Sequence, residues 1–560
     1  MEYIVFGFVA FFLILLFMAK GFYDEHKSQK EFKRHLERDY GQIHEKEYRP
    51  EQYASISRYF ERHPGETQID DITWNDLSMD DVYKGMNETY SSAGEEILYY
   101  TLRSPHLSDE KLKHMEEQIQ YFTSNQTERV KLQILFHKLG YTGRFSLYEY
   151  LDHLDILGNR SNIKHYILNF LYIPGIVLCA VKPSMGVIWL VVIMLYNMFS
   201  YFKEKNEIEP YITSFAYLMK LMDAAERVEA VHSERIQSEA QKLHEHKKQL
   251  GRFKRGSYWL MSSGRMSGSG NILDIFLDYC RMIFHLDLIK FNTMLDQVRK
   301  HIADVDELFY TLGYLETVIA IGAYRKSLDG AFCIPVLSNE EQIVYTTENL
   351  YHPLIQHPVK NSINVRRGVL LTGSNASGKS TFLKTVALNT IFAQTIHTVL
   401  ADSYEGSFFG ICSSMTLRDN LSQGESYYMV EIRAIKRILD MAAKESKMLC
   451  FVDEVLRGTN TVERIAASTE ILKSLSSKNV LCFAATHDVE LTDLLSAQYD
   501  NYHFEEEIKD GDVYFNYCLM KGKATTRNAI KLLGIMGYHE TIIENANNRA
   551  EYFMNTGIWK

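Results

Sequence analysis

Residues 370–384 read LLTGSNASGKSTFLK, and this stretch decides how the carboxy-terminal part of the chain folds. Gly373, Ser374, Asn375, Ala376, Ser377, Gly378, Lys379 and Ser380 fit the eight-position phosphate loop, with Thr381 following. An apolar run precedes the loop and a helical run follows it, which is the strand–loop–helix context the motif requires. Backbone amides of such a loop and the amino end of its helix meet phosphate oxygens. Lys379 then reaches the β and γ phosphates and the Ser380 hydroxyl sits on Mg²⁺, so ATP and Mg²⁺ are the expected ligands.

Working outward, VLLTG, MLCFVDE, NVLCFAATH and VYFNYCLM read as strands alternating with helical stretches. That is the pattern of an α/β nucleotide-binding domain. Asp453 and Glu454 close the second of these runs. Asp453 is placed to hold the metal, directly or through water, and Glu454 to orient or deprotonate an attacking water. His487, at the end of the third run, either bonds the γ phosphate or satisfies a local bond.

The acid pair followed by RGTNT (457–461) and the strand-end ATH resemble the ATPase domain of the MutS family of DNA mismatch repair proteins. NLSQGESYYMVE (420–431) occupies the place of that family's signature segment. The resemblance implies an ABC-type ATPase in which Gly424 and Ser426 of one subunit close on the γ phosphate held by the other, hence a homodimer through the ATPase domains. It gives Lys379, Ser426, Glu454 and His487 catalytic roles, and Ser380 and Asp453 the metal. By the same resemblance Asn375 is the loop asparagine, Thr459 belongs to a segment along the dimer interface, and His352-Pro353 is the pair ahead of the nucleotide site. The family binds mismatched DNA. Residues 79–112 resemble the opening of the family's core helical domain, and only about 70 residues precede that core region, too few for reading domains, so no provider of an aromatic wedge is visible. Glu425 replaces the usual signature arginine, and TTRNAI (525–530) stands where the family has a KSYG-like run.

Three apolar stretches mark the amino-terminal half. Tyr3 to Ala19 is 17 residues without a charge, the short end of the roughly 17–25 a spanning helix needs. Glu2 ahead of the run and a poor cleavage site after it favour an uncleaved anchor over a signal peptide. Tyr166–Val181 and Ser184–Phe202 are uncharged and divided by Lys182-Pro183, which reads as a hairpin crossing and recrossing a bilayer. Flanking lysines put residues 20–163 and 203–560 inside, giving a multi-pass cell-membrane protein with a cytoplasmic ATPase domain.

The resulting partition is an anchor at 1–21, a juxtamembrane helical segment at 22–70, the first part of a MutS-like helical core at 71–163, a transmembrane hairpin at 164–203, a second lever or core part at 204–338 and the ATPase domain at 339–560. Residues 206–250 read as either a coiled arm or a solvated helix, and MSSGRMSGSGN (261–271) as a flexible break. Ser108 opens a helix carrying Leu112, Met115 and Ile119, while Leu308, Leu312, Leu315 and Ile319 line one face of another.

Bulk numbers weigh the function classes. A net charge of −10, from 71 acids and 61 bases, offers no general attraction for nucleic acid. Seven scattered cysteines show no metal-ligand spacing and no secreted disulfide framework. Three functions are in competition: a membrane-anchored ATPase acting on helical arms and on a membrane or protein partner, a membrane-tethered DNA repair or recombination ATPase, and a nucleotide-gated scaffold. LSQGE also resembles the ABC transporter signature, but three spans per chain provide too little membrane path.

Overall fold

The computed structural model describes residues 20, 23–24 and 26–559, apart from 45, 66, 144, 232, 258–259, 261–278, 375–376, 416–426, 445–446, 458, 510–511 and 525–528. The amino-terminal anchor (1–21, except Lys20) and the break at 261–271 therefore lie outside the described residues. The chain forms two compact units: residues 1–63, 87–100 and 117–324 make the first, and residues 64–86, 101–116 and 325–560 the second. The segments 64–86 and 101–116 thus pack with the carboxy-terminal part, which differs from the sequence partition into 71–163 and 339–560.

The second unit is α/β. Its strands are β1 (Val336–Ser338), β2 (Tyr345–Leu350), β3 (Asn361–Val365), β4 (Gly368–Thr372), β5 (Ser403–Ser407), β6 (Gly410–Ser414), β7 (Met448–Asp453), β8 (Val480–Ala485), β9 (Tyr499–His503), β10 (Glu506–Lys509), β11 (Asp512–Phe515) and β12 (Met520–Lys521). The main sheet has the order β12-β9-β4-β8-β7-β6. Its strands are parallel except β12, which runs antiparallel to β9. β4, β6 and β8 are buried at every position, as is β7 up to its last residue. That is why β4, β7 and β8 read as nearly unbroken apolar runs, the mark of a parallel sheet covered on both faces, whereas β6 buries Ser413 and Ser414. A second sheet, β1-β5-β2-β3, and the hairpin β10-β11 complete the unit. The run VYFNYCLM is not one strand: β11 ends at Phe515, Tyr517 takes a left-handed φ of +54°, and pairing resumes at β12.

The helix Lys379–Thr395 after β4 is buried along nearly its whole length, although it carries threonine, asparagine and glutamine. These polar groups are satisfied: Thr385, Thr390 and Thr395 donate to carbonyls four residues back, and Gln394 exchanges two hydrogen bonds with Phe409.

The first unit is helical among the described residues. Leu308, Leu312, Leu315 and Ile319 are all buried along the helix Ile302–Ser327, as their spacing predicts. Leu112, Met115 and Ile119 are buried along Asp109–Ser124, a helix whose residues divide between the two units. One helix runs unbroken for 47 residues from Pro183 to Glu229, about 70 Å at 1.5 Å per residue, so the sequence boundary at 203/204 falls inside it. Its distal half is not solvated on every face. Phe215, Leu218, Leu221, Met222 and Val228 are buried, and Phe215 stacks on Phe291 with centroids 4.9 Å apart.

The proximal half packs antiparallel to Ile163–Val181. Glycines make the approach possible: a Cβ on Gly186 would lie 2.3 Å from the Cys179 backbone nitrogen, and one on Gly175 2.6 Å from Leu190 Cδ2. The outer faces are apolar and open, with Phe170 64%, Val181 72% and Phe199 75% exposed. By length and composition these two helices are able to cross a membrane.

Candidate functional site

β4, β7 and β8 are adjacent and parallel, and Leu371 and Asp453 both stand opposite Ala485. The register therefore brings three carboxyl ends together, the place where open α/β sheets bind ligands. Gly373 to Gly378 leave the end of β4, Asp453 and Glu454 the end of β7, and His487 the end of β8.

Two glycines shape the loop. Gly373 has φ +145° and Gly378 φ +106°, and a Cβ at Gly373 would sit 2.7 Å from the Phe504 carbonyl oxygen. Gly378 caps the helix that starts at Lys379. The Lys379 ammonium donates to the carbonyls of Gly373 (2.8 Å) and Ser374 (2.7 Å). Burial lowers its pKa, opposed by Asp453 and Glu454. The Ser374 hydroxyl donates to Glu506 at 2.8 Å. Ser377 Oγ is buried with no hydrogen-bond partner among the described residues. Thr381 lines the adjoining cavity, whereas Asn375 and Ala376 lie outside the described residues.

The Ser380 hydroxyl donates to Asp453 Oδ2. Asp453 Oδ1 is buried and has no partner among the described residues. Burial holds the Asp453 carboxyl above its ordinary pKa, against the Ser380 hydrogen bond and the Arg457 charge. A hydroxyl paired with a carboxylate that keeps one oxygen bare is a hard-oxygen donor set of the kind Mg²⁺ takes. The residues present fit that ion.

Glu454 departs from the strand with a left-handed φ of +56°, and Leu456 repeats this with +58°. For residues with a Cβ such backbone costs energy and is held only by its surroundings. The Glu454 amide is fixed by the Ala485 carbonyl at 2.9 Å, and the Arg457 amide by Glu431 at 3.2 Å. The side chain is gripped on both oxygens, by His487 Nε2 at 2.6 Å and by Arg457. Burial pushes the Glu454 carboxyl up, but His487, Arg457 and Lys379 outweigh it and keep it below its ordinary pKa. It is an ionised base at neutral pH. His487 thus meets Glu454.

Lys379, Ser380, Glu454 and Arg457 open on a cavity of about 480 Å³ lined also by His352, Ile355, Pro358, Phe504 and Tyr517. His352 accepts the Leu354 amide on Nδ1 at 3.2 Å, and burial pushes its pKa down to about 4, so the ring is neutral. Thr459 bonds Glu463 at 3.3 Å beside the helix Thr461–Ser474, which Asn460 caps. Gly424, Glu425 and Ser426 lie outside the described residues.

Sequence reasoning missed Glu506, Tyr517 and the supporting part of Glu431. Glu506 had a signal, because it follows β9, the parallel neighbour of β4. Tyr517 had none, since its left-handed backbone leaves no trace in composition.

Residues 369–554 match the family model of MutS domain V. DNA mismatch repair protein MutS of Thermus thermophilus is 30% identical over 200 residues, 35% of this chain and 24% of that protein. DNA mismatch repair protein MutS of Pseudothermotoga lettingae is 30% identical over 233 residues, 40% of this chain and 28% of that protein. The matched stretches span about a quarter of the length of these curated relatives. Strand order, phosphate loop and family match agree over the same residues, and this carboxy-terminal region is similar to domain V of the MutS family.

Proposed function

We propose that the chain is a membrane-anchored Mg²⁺-ATPase whose turnover at a dimer-composite site moves its helical arms against a membrane or protein partner. One observation carries the hydrolytic part: Lys379, the Ser380–Asp453 pair with its bare oxygen, and Glu454 held by His487 all converge at three neighbouring strand ends. Loop amides and Lys379 bind the triphosphate. Ser380 and Asp453 would hold Mg²⁺, which supplies charge neutralisation on the phosphates. Glu454 orients a water and takes its proton. His487 and Arg457 fix the carboxylate that receives it. Ser426 and Gly424 of a second copy complete the site in this reading. The open apolar faces of the hairpin helices support a multi-pass membrane location, with the ATPase domain cytoplasmic.

The second reading, a membrane-tethered DNA repair or recombination ATPase, is favoured by the name its relatives carry. It is opposed by the net charge of −10. Mg²⁺-dependent ATP hydrolysis by the detergent-purified full chain, with and without duplex DNA across a salt series, separates the two. Activity indifferent to DNA supports the membrane-coupled ATPase. Stimulation by DNA that fades with salt supports the second reading. Bound nucleotide without hydrolysis sinks both and leaves a nucleotide-gated scaffold.

A further inference from the structure

β6 is an edge strand of the main sheet, yet the outward amides at its carboxyl end are engaged. In a parallel pair alternate residues turn their amides and carbonyls away from the partner strand. Toward the end of β6 those are Ser413 and, just past it, Met415. The Ser413 amide donates to Thr73 Oγ1 at 3.1 Å, and the Ser413 carbonyl accepts from Arg437. The Met415 amide donates to Asp76 Oδ2 at 2.9 Å, and the Ser413 hydroxyl to the same oxygen at 2.7 Å. Thr73 and Asp76 belong to the short helix Asp71–Asp76 and are fully buried, with Asp76 1% exposed. Asp70 caps that helix by accepting the Thr73 amide, and its other oxygen pairs with Arg437. A short helix with two side-chain acceptors thus stands where another strand would otherwise add.

Burying a carboxylate is costly unless hydrogen bonds compensate it, and Asp76 accepts two at the strand end. A serine or threonine would cover one amide, whereas Asp76 ties two donors on the strand end. Arg437 extends the tie, because it lies on the helix Tyr427–Ala442, which also carries Glu431. Glu431 is buried and holds the Arg457 amide, and the Arg457 guanidinium pairs with Glu454. β6 itself runs beside β7, with Ser414 opposite Val452, one residue before Asp453.

We propose that Asp70 and Asp76 are positioning residues for Glu454: the helix Asp71–Asp76 clamps the end of β6 and the helix Tyr427–Ala442 in one register, and that register aims Arg457 and the Glu454 carboxylate. This inference rests on the reading of Glu454 as the water-orienting base. The clamp itself is testable without any turnover.

Hydrogen–deuterium exchange on the detergent-purified full chain compares Asp76→Ala, Asp76→Asn and Arg437→Met with the parent. Asp76→Asn keeps an acceptor oxygen for both donors, and Arg437→Met breaks the tie from the other side should Asp76→Ala fail to fold. The expected result for Asp76→Ala and Arg437→Met is exchange at least about fivefold faster at residues 411–415 and also at 454–457, with 369–372 unchanged. Asp76→Asn stays near the parent. Faster exchange at 411–415 alone overturns the proposal, because the clamp would then end at the strand. In the hydrolysis assay kcat falls roughly tenfold in Asp76→Ala with KM held within about twofold. A rise in KM that matches the fall in kcat also overturns it. A parent chain that binds nucleotide but never hydrolyses it removes the ATPase reading, and the exchange result at 454–457 alone then decides the clamp.

Discussion

Asp453 in the second unit and Glu316 in the first are both carboxyls that burial drives above their ordinary pKa, yet they are housed in opposite ways. Asp453 has one oxygen on the Ser380 hydroxyl and the other without a hydrogen-bond partner among the described residues. Glu316 has both oxygens taken, one by the Tyr90 amide and one by the Ser91 hydroxyl, at the amino end of the helix Ser92–Arg103. The glycines around them differ in the same sense. Gly378 is needed for its left-handed φ, whereas Gly94 is needed because a Cβ there would lie 2.3 Å from Glu316 Oε2. One carboxyl keeps an oxygen unmet among the described residues, and the other is closed on itself. Burial and a raised pKa do not distinguish them; the unmet oxygen does.

Breaking the open site should cost chemistry and not the fold. Glu454→Gln is expected to lower ATP turnover by roughly 10²–10⁴-fold while nucleotide binding persists, read by phosphate release and by equilibrium binding. Asp453→Asn should follow with a loss of about a hundredfold that added Mg²⁺ does not restore. Its unfolding midpoint should not fall, because a neutral amide relieves the cost that raised the carboxyl's pKa.

The closed site should answer to pH. Glu316 sits at about 7 in the fold against 4.5 unperturbed, so the folded form keeps its proton where the unfolded chain gives it up. The stability tied to this proton is complete below the unfolded value and is lost as pH rises through about 7. The whole swing is on the order of 3 kcal/mol. Denaturation followed by tryptophan fluorescence at pH 5 and pH 8 checks it, and Glu316→Gln should flatten the difference. Burial also raises Glu95 and lowers Lys46, which sit 3.7 Å apart beside it, so the parent-minus-variant difference is the quantity to read. Smaller again is Gly94→Ala, expected to destabilise by about 1–3 kcal/mol through overpacking against Glu316. Gly85→Ala, with nothing within 4 Å of the new methyl, should instead stabilise by about 0.5–1 kcal/mol.

The open site was legible in the sequence because its chemistry is local. Phosphate loop, strand-end acids and the histidine each lie within a few residues of an apolar run, and parallel pairing then had to bring them together. The closed site was not, since Glu316 and Ser91 are far apart in the chain and periodicity says which face is buried, not what it meets. The same limit hid the attachment of residues 64–86 to the edge of β6. Thr73 and Asp76 look like ordinary members of a short polar helix, and their importance depends on which strand ends beside them. Residues 206–250 left two solutions open for a related reason: a thin apolar seam does not reveal that Phe291 waits opposite Phe215.

The long helix Pro183–Glu229 contains Pro210. Proline brings no amide, so the carbonyl of Asn206 receives no rung at that turn, and the helix is softest there. The soft turn lies only eight residues beyond Phe202, where the apolar run ends. The rod therefore has a pivot just outside its greasy half. In the proposed bilayer setting, a change in hydrocarbon thickness would alter the tilt of that half, and the pivot would absorb the angle before it reached the packed turns around Phe215.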